Sequence, residues 1–400
     1  MIEVLKKLIR KPVCDSCLGR QFSQLLSGMT NRERGRALRT VAAMMFDSGT
    51  ADADPSNFSG FSLRFRKPGP EKECSVCFGL FDNLGRLAEK AVGKLKGIEF
   101  DTFLVGCVPS RKLAEAEERL WEEIGIEYCE PLKAEFNREM GKLIQEATGK
   151  TADLEKPDVV VLFDLEKGDV ELRVNPIYIF GYYQKLVRGI PQCRWDKYRT
   201  SVEELVGKPA LKLTKGSDHR FHGMGREDVS ARCLAWRPFV IEVKEPRVRK
   251  PDLAKLEEMI NRSSFVKVKG LRLCDAETVR KVKSARPDKT YRALVVLSSP
   301  VKPEDLEKLK SLVGPVRQRT PTRVLHRRSD LERERKVKSV KVRRITSRKF
   351  ELTVRAEAGL YIKELVSGDG GRTSPSVSEI LGVPAKCAEL DVIEIDRVEL

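Results

Sequence analysis

The sequence predicts an α+β protein, and three observations predict it. Some segments carry apolar residues at helical spacing. Others alternate, or run apolar at strand length. The balance between them changes along the chain: helices and strands mix over the first half, and strands dominate from about Gln192 onward. The expected architecture is an N-terminal α/β domain followed by a domain with a mixed, mainly antiparallel sheet flanked by helices. Four hundred residues exceed one ordinary core, so two or three domains are expected. The expected divisions are 1–80, 81–190 and 191–400.

Met1–Lys11 has scattered charges and no long apolar run, and reads as the start of a helix, not a secretory signal. Asn31–Asp47 reads as helical, and Gly49–Pro70 is polar and contains Gly and Pro. Leu84–Leu95 and Arg111–Ile124 have helical apolar spacing. Thr102–Val108 and Asp158–Phe163 are apolar runs bounded by polar residues or Pro, as buried strands are. Asp169–Val174 alternates like a half-buried strand. Further strands are expected at Pro238–Val243, Tyr291–Leu297, Ser339–Arg344 and Phe350–Ala356. In the last, Phe350, Leu352, Val354 and Ala356 alternate with Glu351, Thr353 and Arg355, which puts one face in a core. It pairs with Ser339–Arg344 through a turn around Thr346–Lys349.

Hydrophobic residues make up 40% of the chain and charged residues 34%, which suits a globular protein and excludes a disordered tail. The formal net charge is +17. A fold does not need that excess, and a polyanionic partner explains it. No stretch approaches the roughly 18–20 apolar residues of a membrane span, so a cytoplasmic protein with reduced thiols is expected.

Ten cysteines then need another explanation than disulfides. Cys14-x-x-Cys17 and Cys74-x-x-Cys77 have the spacing that lets both sulfurs of a pair point at one ion, and two such pairs complete a tetrahedral shell. A structural zinc ion is expected there. The other six, Cys107, Cys129, Cys193, Cys233, Cys274 and Cys387, stand alone and read mostly as core fillers. Gly314–Lys349 holds fourteen Lys/Arg and three acids, a net +11. Within it "RQRTPTRVLHRR" has no acids to pair with and reads as a phosphate contact through Arg323, Arg327 and Arg328. Asp330–Lys336, by contrast, reads as an ion-paired helix face.

Two further stretches carry chemistry. In "FHGMGREDVSARCL", Phe221–Leu234, Gly225 gives a flexible approach, Arg226 supplies a cation, and Asp228 opens an apparent helix. The neighbouring charge and the helix N-terminus would keep that carboxylate ionised. In "AGLYIKELVSGDGGRTSPSVSEILG", Ala358–Gly382, Lys363 begins a helix just after a core strand. Between them "KTYRALVVL" has Tyr291 opening a strand.

Together, and in this order, these stretches resemble the pseudouridine synthase superfamily. They are most similar to the archaeal/eukaryotic family that makes pseudouridine at positions 54 and 55 of the tRNA T arm. The likeness extends to the two Cys-x-x-Cys pairs, "GYYQKLVRGIPQCRW", "RPFVIEVKEPRVR", "TPTRVLHRR" and "CAELDVIEID". The family commonly has a second Asp where this chain has Ser230. The resemblance implies that Asp228 is the nucleophile, attacking ribose C1′ or base C6 or otherwise opening the glycosidic bond. It implies that Lys363 pairs with Asp228, that Tyr291 stacks on the target base and takes part in proton movement at C2′, and that Leu390 lines the pocket. Gly225, Arg226, Arg323, Arg327, Arg328 and Tyr361 are the expected substrate contacts. The implied partner is tRNA, bound by a monomer with no membrane association and no organic cofactor. The N-terminal half resembles the RNA-binding THUMP domain, chiefly over Asp158–Arg188. The competing readings are a non-catalytic tRNA-binding protein and a THUMP-containing RNA methyltransferase or thiolase. The latter need a nucleotide or S-adenosylmethionine site, and the sequence has no G-x-G-x-x-G after a strand and no P-loop.

Overall fold

The structure, a computed structural model, describes residues 1–399 apart from the Arg327 side chain. The chain divides into two compact units, Met1–Asn175 and Pro176–Leu400.

The first unit opens with α1 (Ile2–Leu8), α2 (Asp15–Arg20) and α3 (Asn31–Asp47). A capping box starts α3: the Thr30 hydroxyl accepts from the Glu33 N–H, and the Glu33 carboxylate accepts from the Thr30 N–H. Helices α2 and α3 cross where neither has a side chain. A Cβ on Gly19 would stand 1.8 Å from the Asn31 carbonyl oxygen, and one on Gly35 1.8 Å from that of Asp15. Then follow α4 (Leu84–Leu95), β1 (Thr102–Val108), α5 (Arg111–Ile124), α6 (Leu132–Thr148), β2 (Thr151–Ala152), β3 (Val159–Asp164) and β4 (Asp169–Val174).

The strands form one sheet in the order β2-β1-β3-β4. Strand β1 is parallel to β2 and β3, and β4 is antiparallel to β3. Ala88, Ala91 and Leu95 of α4 and Phe136, Met140 and Ile144 of α6 pack on Phe103, Val105, Val159, Val161 and Phe163. Burial alternates along β1 and β3. The apolar runs therefore bury one face fully and the other partly, not both fully as expected.

The second unit contains β5 (Ile177–Lys185), α7 (Val202–Thr214), β6 (Asp218–Gly223), β7 (Ala231–Lys244), α8 (Leu253–Asn261), β8 (Val266–Cys274), α9 (Ala276–Ser284), β9 (Lys289–Leu297), α10 (Pro303–Glu307), β10 (Gly314–Arg319), β11 (Glu332–Thr346), β12 (Lys349–Ala356), α11 (Ile362–Ser367), β13 (Thr373–Ser374), α12 (Val377–Leu381) and β14 (Ala385–Ile395). One ten-stranded sheet runs β13-β10-β11-β12-β9-β14-β7-β5-β8, with β6 beside β7. Its pairs are antiparallel except β7 with β14, where Leu390 is opposite Ala231. The expected hairpin forms, with Val342 opposite Leu352.

Four expectations need correction. The boundary expected at 190 falls at 175, because β5 pairs with β7 and β8 in the second sheet. Asp228 does not open a helix: the turn after it is closed by the Ala231 N–H on the Asp228 carbonyl, and β7 follows. Asp330–Lys336 is not a helix face, since Arg333 and Arg335 pair across the sheet with Gln318 and Val316. Of the six isolated cysteines only Cys107 and Cys233 are buried.

Candidate active site

The chain brings Asp228 and Lys363 together. Lys363 Nζ donates to Asp228 Oδ1 at 3.1 Å and to Ser230 Oγ at 2.6 Å. Ser230 also serves the carboxylate, through its N–H at 3.1 Å and its hydroxyl at 2.9 Å, both to Oδ1. The other oxygen, Oδ2, accepts from Arg323 Nη1 at 2.7 Å. Arg323 in turn donates from Nε to Glu364 at 2.7 Å. Burial pushes the Asp228 carboxyl up. The Ser230 N–H, Lys363, the Ser230 hydroxyl and Arg323 outweigh it and hold the group well below the usual carboxylate range. The charges on α11 and on the short helical turn Thr322–Arg327 thus do what a helix N-terminus was expected to do.

The carboxylate faces a cavity of about 1110 Å³ lined by Tyr291, Leu390, Gly225, Arg226, Arg328 and Tyr361 among others. Tyr291 and Leu390 come from adjacent strands, β9 and β14. Burial pushes the Tyr291 phenol up to about 12, so it is neutral at physiological pH. Arg328 Nη1 donates to the Tyr361 hydroxyl at 2.8 Å. The expected substrate contacts therefore line one cavity, with two qualifications. Arg323 is exposed but already held by two carboxylates, those of Asp228 and Glu364, and the Arg327 side chain lies outside the described residues.

Sequence reasoning missed what holds the Asp228 loop. Lys185, at the end of β5, is fully buried. Its ammonium donates to the carbonyls of Ile190, Asp228 and Val229 at 3.0, 3.1 and 3.2 Å. Arg237 of β7, also buried, donates to the Met224 carbonyl at 2.9 Å and pairs with Glu227 at 3.3 Å. Glu227 accepts from the Tyr183 hydroxyl at 2.9 Å. Lysine at a strand end normally reads as a solvated residue, so only its nonlocal partners reveal the role.

In the first unit the Sγ atoms of Cys14, Cys17, Cys74 and Cys77 all lie within 4.8 Å of one another. Cys14 and Cys77 sulfurs are 3.6 Å apart, too far for a disulfide. They are close to the edge, roughly 3.8 Å, of a tetrahedron with metal–sulfur bonds of about 2.3 Å. Arg20 Nη2 donates to Cys17 Sγ at 3.5 Å, a cationic contact that suits a thiolate shell. The residues fit a metal ion.

Comparison with known proteins agrees with the division into two units. The family model described as Pus10, C-terminal matches residues 178–396, and the one described as Pus10 THUMP domain, archaeal, matches 87–164. The THUMP likeness expected at Asp158–Arg188 thus sits earlier, within the first unit. The tRNA pseudouridine synthase Pus10 of Methanothrix thermoacetophila is 44% identical over 417 residues, covering 97% of this chain and 92% of that protein. The Pyrococcus furiosus protein of the same name is 42% identical, covering 97% of this chain and 96% of its own length. That of Archaeoglobus fulgidus is 46% identical, covering 81% and 95%. The chain belongs to the Pus10 family of tRNA pseudouridine synthases.

Proposed function

We propose that this protein isomerises uridine to pseudouridine in the T arm of tRNA, at position 54, position 55 or both, with Asp228 as the nucleophile. The observation that carries this reading is the Asp228 carboxylate held by Lys363 and Arg323 at the wall of a cavity large enough for a nucleotide. The isomerisation breaks the N1–C1′ bond, makes a C5–C1′ bond, removes the C5 proton and returns a proton to N1. It needs no redox partner.

The target uridine must leave its stack, at a cost of a few kcal/mol. Tyr291 offers the detached base an aromatic face and Leu390 an apolar wall, which hold the ring while it turns. A phenol that stays neutral up to about pH 12 acts there as a hydrogen-bond donor or acceptor, not as a phenolate. Lys363 and Arg323 fix the rotamer of Asp228 with charge-assisted bonds to both oxygens. Ser230 replaces the family's second acid with a hydroxyl donor. A like charge beside Asp228 is thereby avoided, which favours its ionised form. Zinc is the metal best suited to the four thiolates. Such a closed shell has no position for substrate, so its role is structural.

The test is incubation of the purified protein with unmodified tRNA transcript and no cofactor, followed by nucleotide-resolution mapping. Pseudouridine confined to 54 and 55 supports the reading. Formation only at other positions, or only with S-adenosylmethionine or ATP present, contradicts it.

A further inference from the structure

Lys289 is the first residue of β9 and lies two before Tyr291, so both side chains leave the same face of the strand. Both line the cavity that holds Asp228. Lys289 is 7% exposed, yet among the described residues its ammonium makes no hydrogen bond and no ion pair. The neighbouring acid, Asp288, attracts the ammonium but makes its ion pairs with Lys338 and Arg355 instead. A Cβ built on Gly225 would stand 3.6 Å from Lys289 Nζ and 3.4 Å from Arg237 Nη1. The ammonium therefore abuts the same loop that carries Asp228. Burial first, and the Arg237 guanidinium second, pull it down to about 8.

Among the described residues, Arg226 and Lys283 also line the cavity without a bonded partner, but both are exposed to water; the other cations near the carboxylate have partners. Lys363 and Arg323 hold Asp228, Arg237 holds Glu227, Arg328 holds Tyr361, and Arg286 caps the carbonyls of Lys283 and Ala285. A buried cation without a counter-charge is costly, and structures keep one where an anion completes it. Uracil and ribose are neutral. The anion an RNA strand carries is its phosphodiester.

We propose that Lys289 is a phosphate subsite in the catalytic cavity, taking one backbone phosphodiester next to the extruded uridine while Tyr291 takes the base. This rests on the reading of the cavity as a uridine site. The two side chains are offset by roughly 7 Å along the strand, about the reach of one nucleotide from base to backbone. Lys289 thus positions the substrate and does not touch the reacting atoms.

The test compares tRNA binding to wild type, K289M and K289R over a series of salt concentrations, with pseudouridine formation at saturating tRNA and thermal melting alongside. The subsite predicts that K289M weakens binding about tenfold and flattens the slope of log Kd against log salt by about 0.7–0.9, one phosphate contact. K289R keeps the wild-type slope, and kcat stays within a few-fold in both. Because K289M removes a buried charge with no bonded partner, it melts at or above the wild-type temperature. An unchanged Kd and slope in K289M overturns the proposal. So does a fall in kcat at unchanged Kd, which marks proton transfer, or a lowered melting temperature shared with K289R, which marks a structural lysine. If wild type makes no pseudouridine, the parent reading fails. If wild type is active and K289M binds with an unchanged slope, only the subsite fails.

Discussion

The Lys363 ammonium lies 3.1 Å from Asp228 Oδ1, joining residues 135 positions apart in the chain. Arg323 closes on the other oxygen from a third segment. The carboxylate is thus oriented from both sides before any substrate arrives, the preorganisation that the proposed nucleophile requires.

Removing either cation should cost activity. We expect K363M and R323M each to lower the single-turnover rate on the order of 10²-fold, with tRNA affinity changed far less. The folded-state pKa of Asp228 is depressed. Its ion pairs therefore contribute stability above the unfolded carboxylate value of about 3.9, and that contribution is lost as pH falls below it. Wild type should consequently show no rate loss from this group between roughly pH 5 and 8. In K363M the protonation step moves to higher pH. Single-turnover rates across pH check both points, and an identical acid limb in K363M and wild type counts against the pairing.

Lys185 should matter to catalysis without touching substrate. K185M leaves three carbonyls without their donor in a buried site. The expected loss is about 2–4 kcal/mol of stability, with a fall in kcat exceeding any change in KM because the Asp228 backbone is no longer pinned. Denaturant melts and steady-state kinetics measure the two effects. A variant as stable and as active as wild type removes Lys185 from the account.

The four-cysteine site should hold about one ion per chain, read by elemental analysis. C74S should lose that ion. Chelation should unfold the first unit before the second, since a metal that binds only the folded state stabilises it. Protein that retains free thiols, contains no metal and melts identically with and without chelator excludes the site.

Much of the fold was legible from local pattern. Leu84–Leu95 and Arg111–Ile124 have apolar residues at helical spacing and were expected with the bounds observed, and the helical stretch expected from about Asn31 to Asp47 is also a helix. The strand after Asp228 was legible only over Pro238–Val243, and its first half was not. "DVSA" has the chemistry of a helix N-cap, and what makes Ala231–Lys244 a strand is its position between β5 and β14, a pairing set by residues far along the chain. Asp330–Lys336 alternates Glu and Arg with no apolar face, so its period cannot distinguish helix from strand. The opposing β10 decides it. The site was half legible. Asp228, Tyr291, Lys363 and Leu390 stood out through a family resemblance. Lys185 and Lys289 look like surface lysines until their burial is known.

Substituting Asp228 alone tests the central claim most directly. Wild type and D228N are each incubated with unmodified tRNA transcript, and pseudouridine is mapped by nucleotide alongside measurement of tRNA affinity. The account predicts pseudouridine at position 54, 55 or both for wild type, none for D228N, and tRNA dissociation constants within about threefold of each other, since the amide keeps the shape of the carboxylate while removing the proposed nucleophile. Pseudouridine made by D228N at a rate near that of wild type would contradict it.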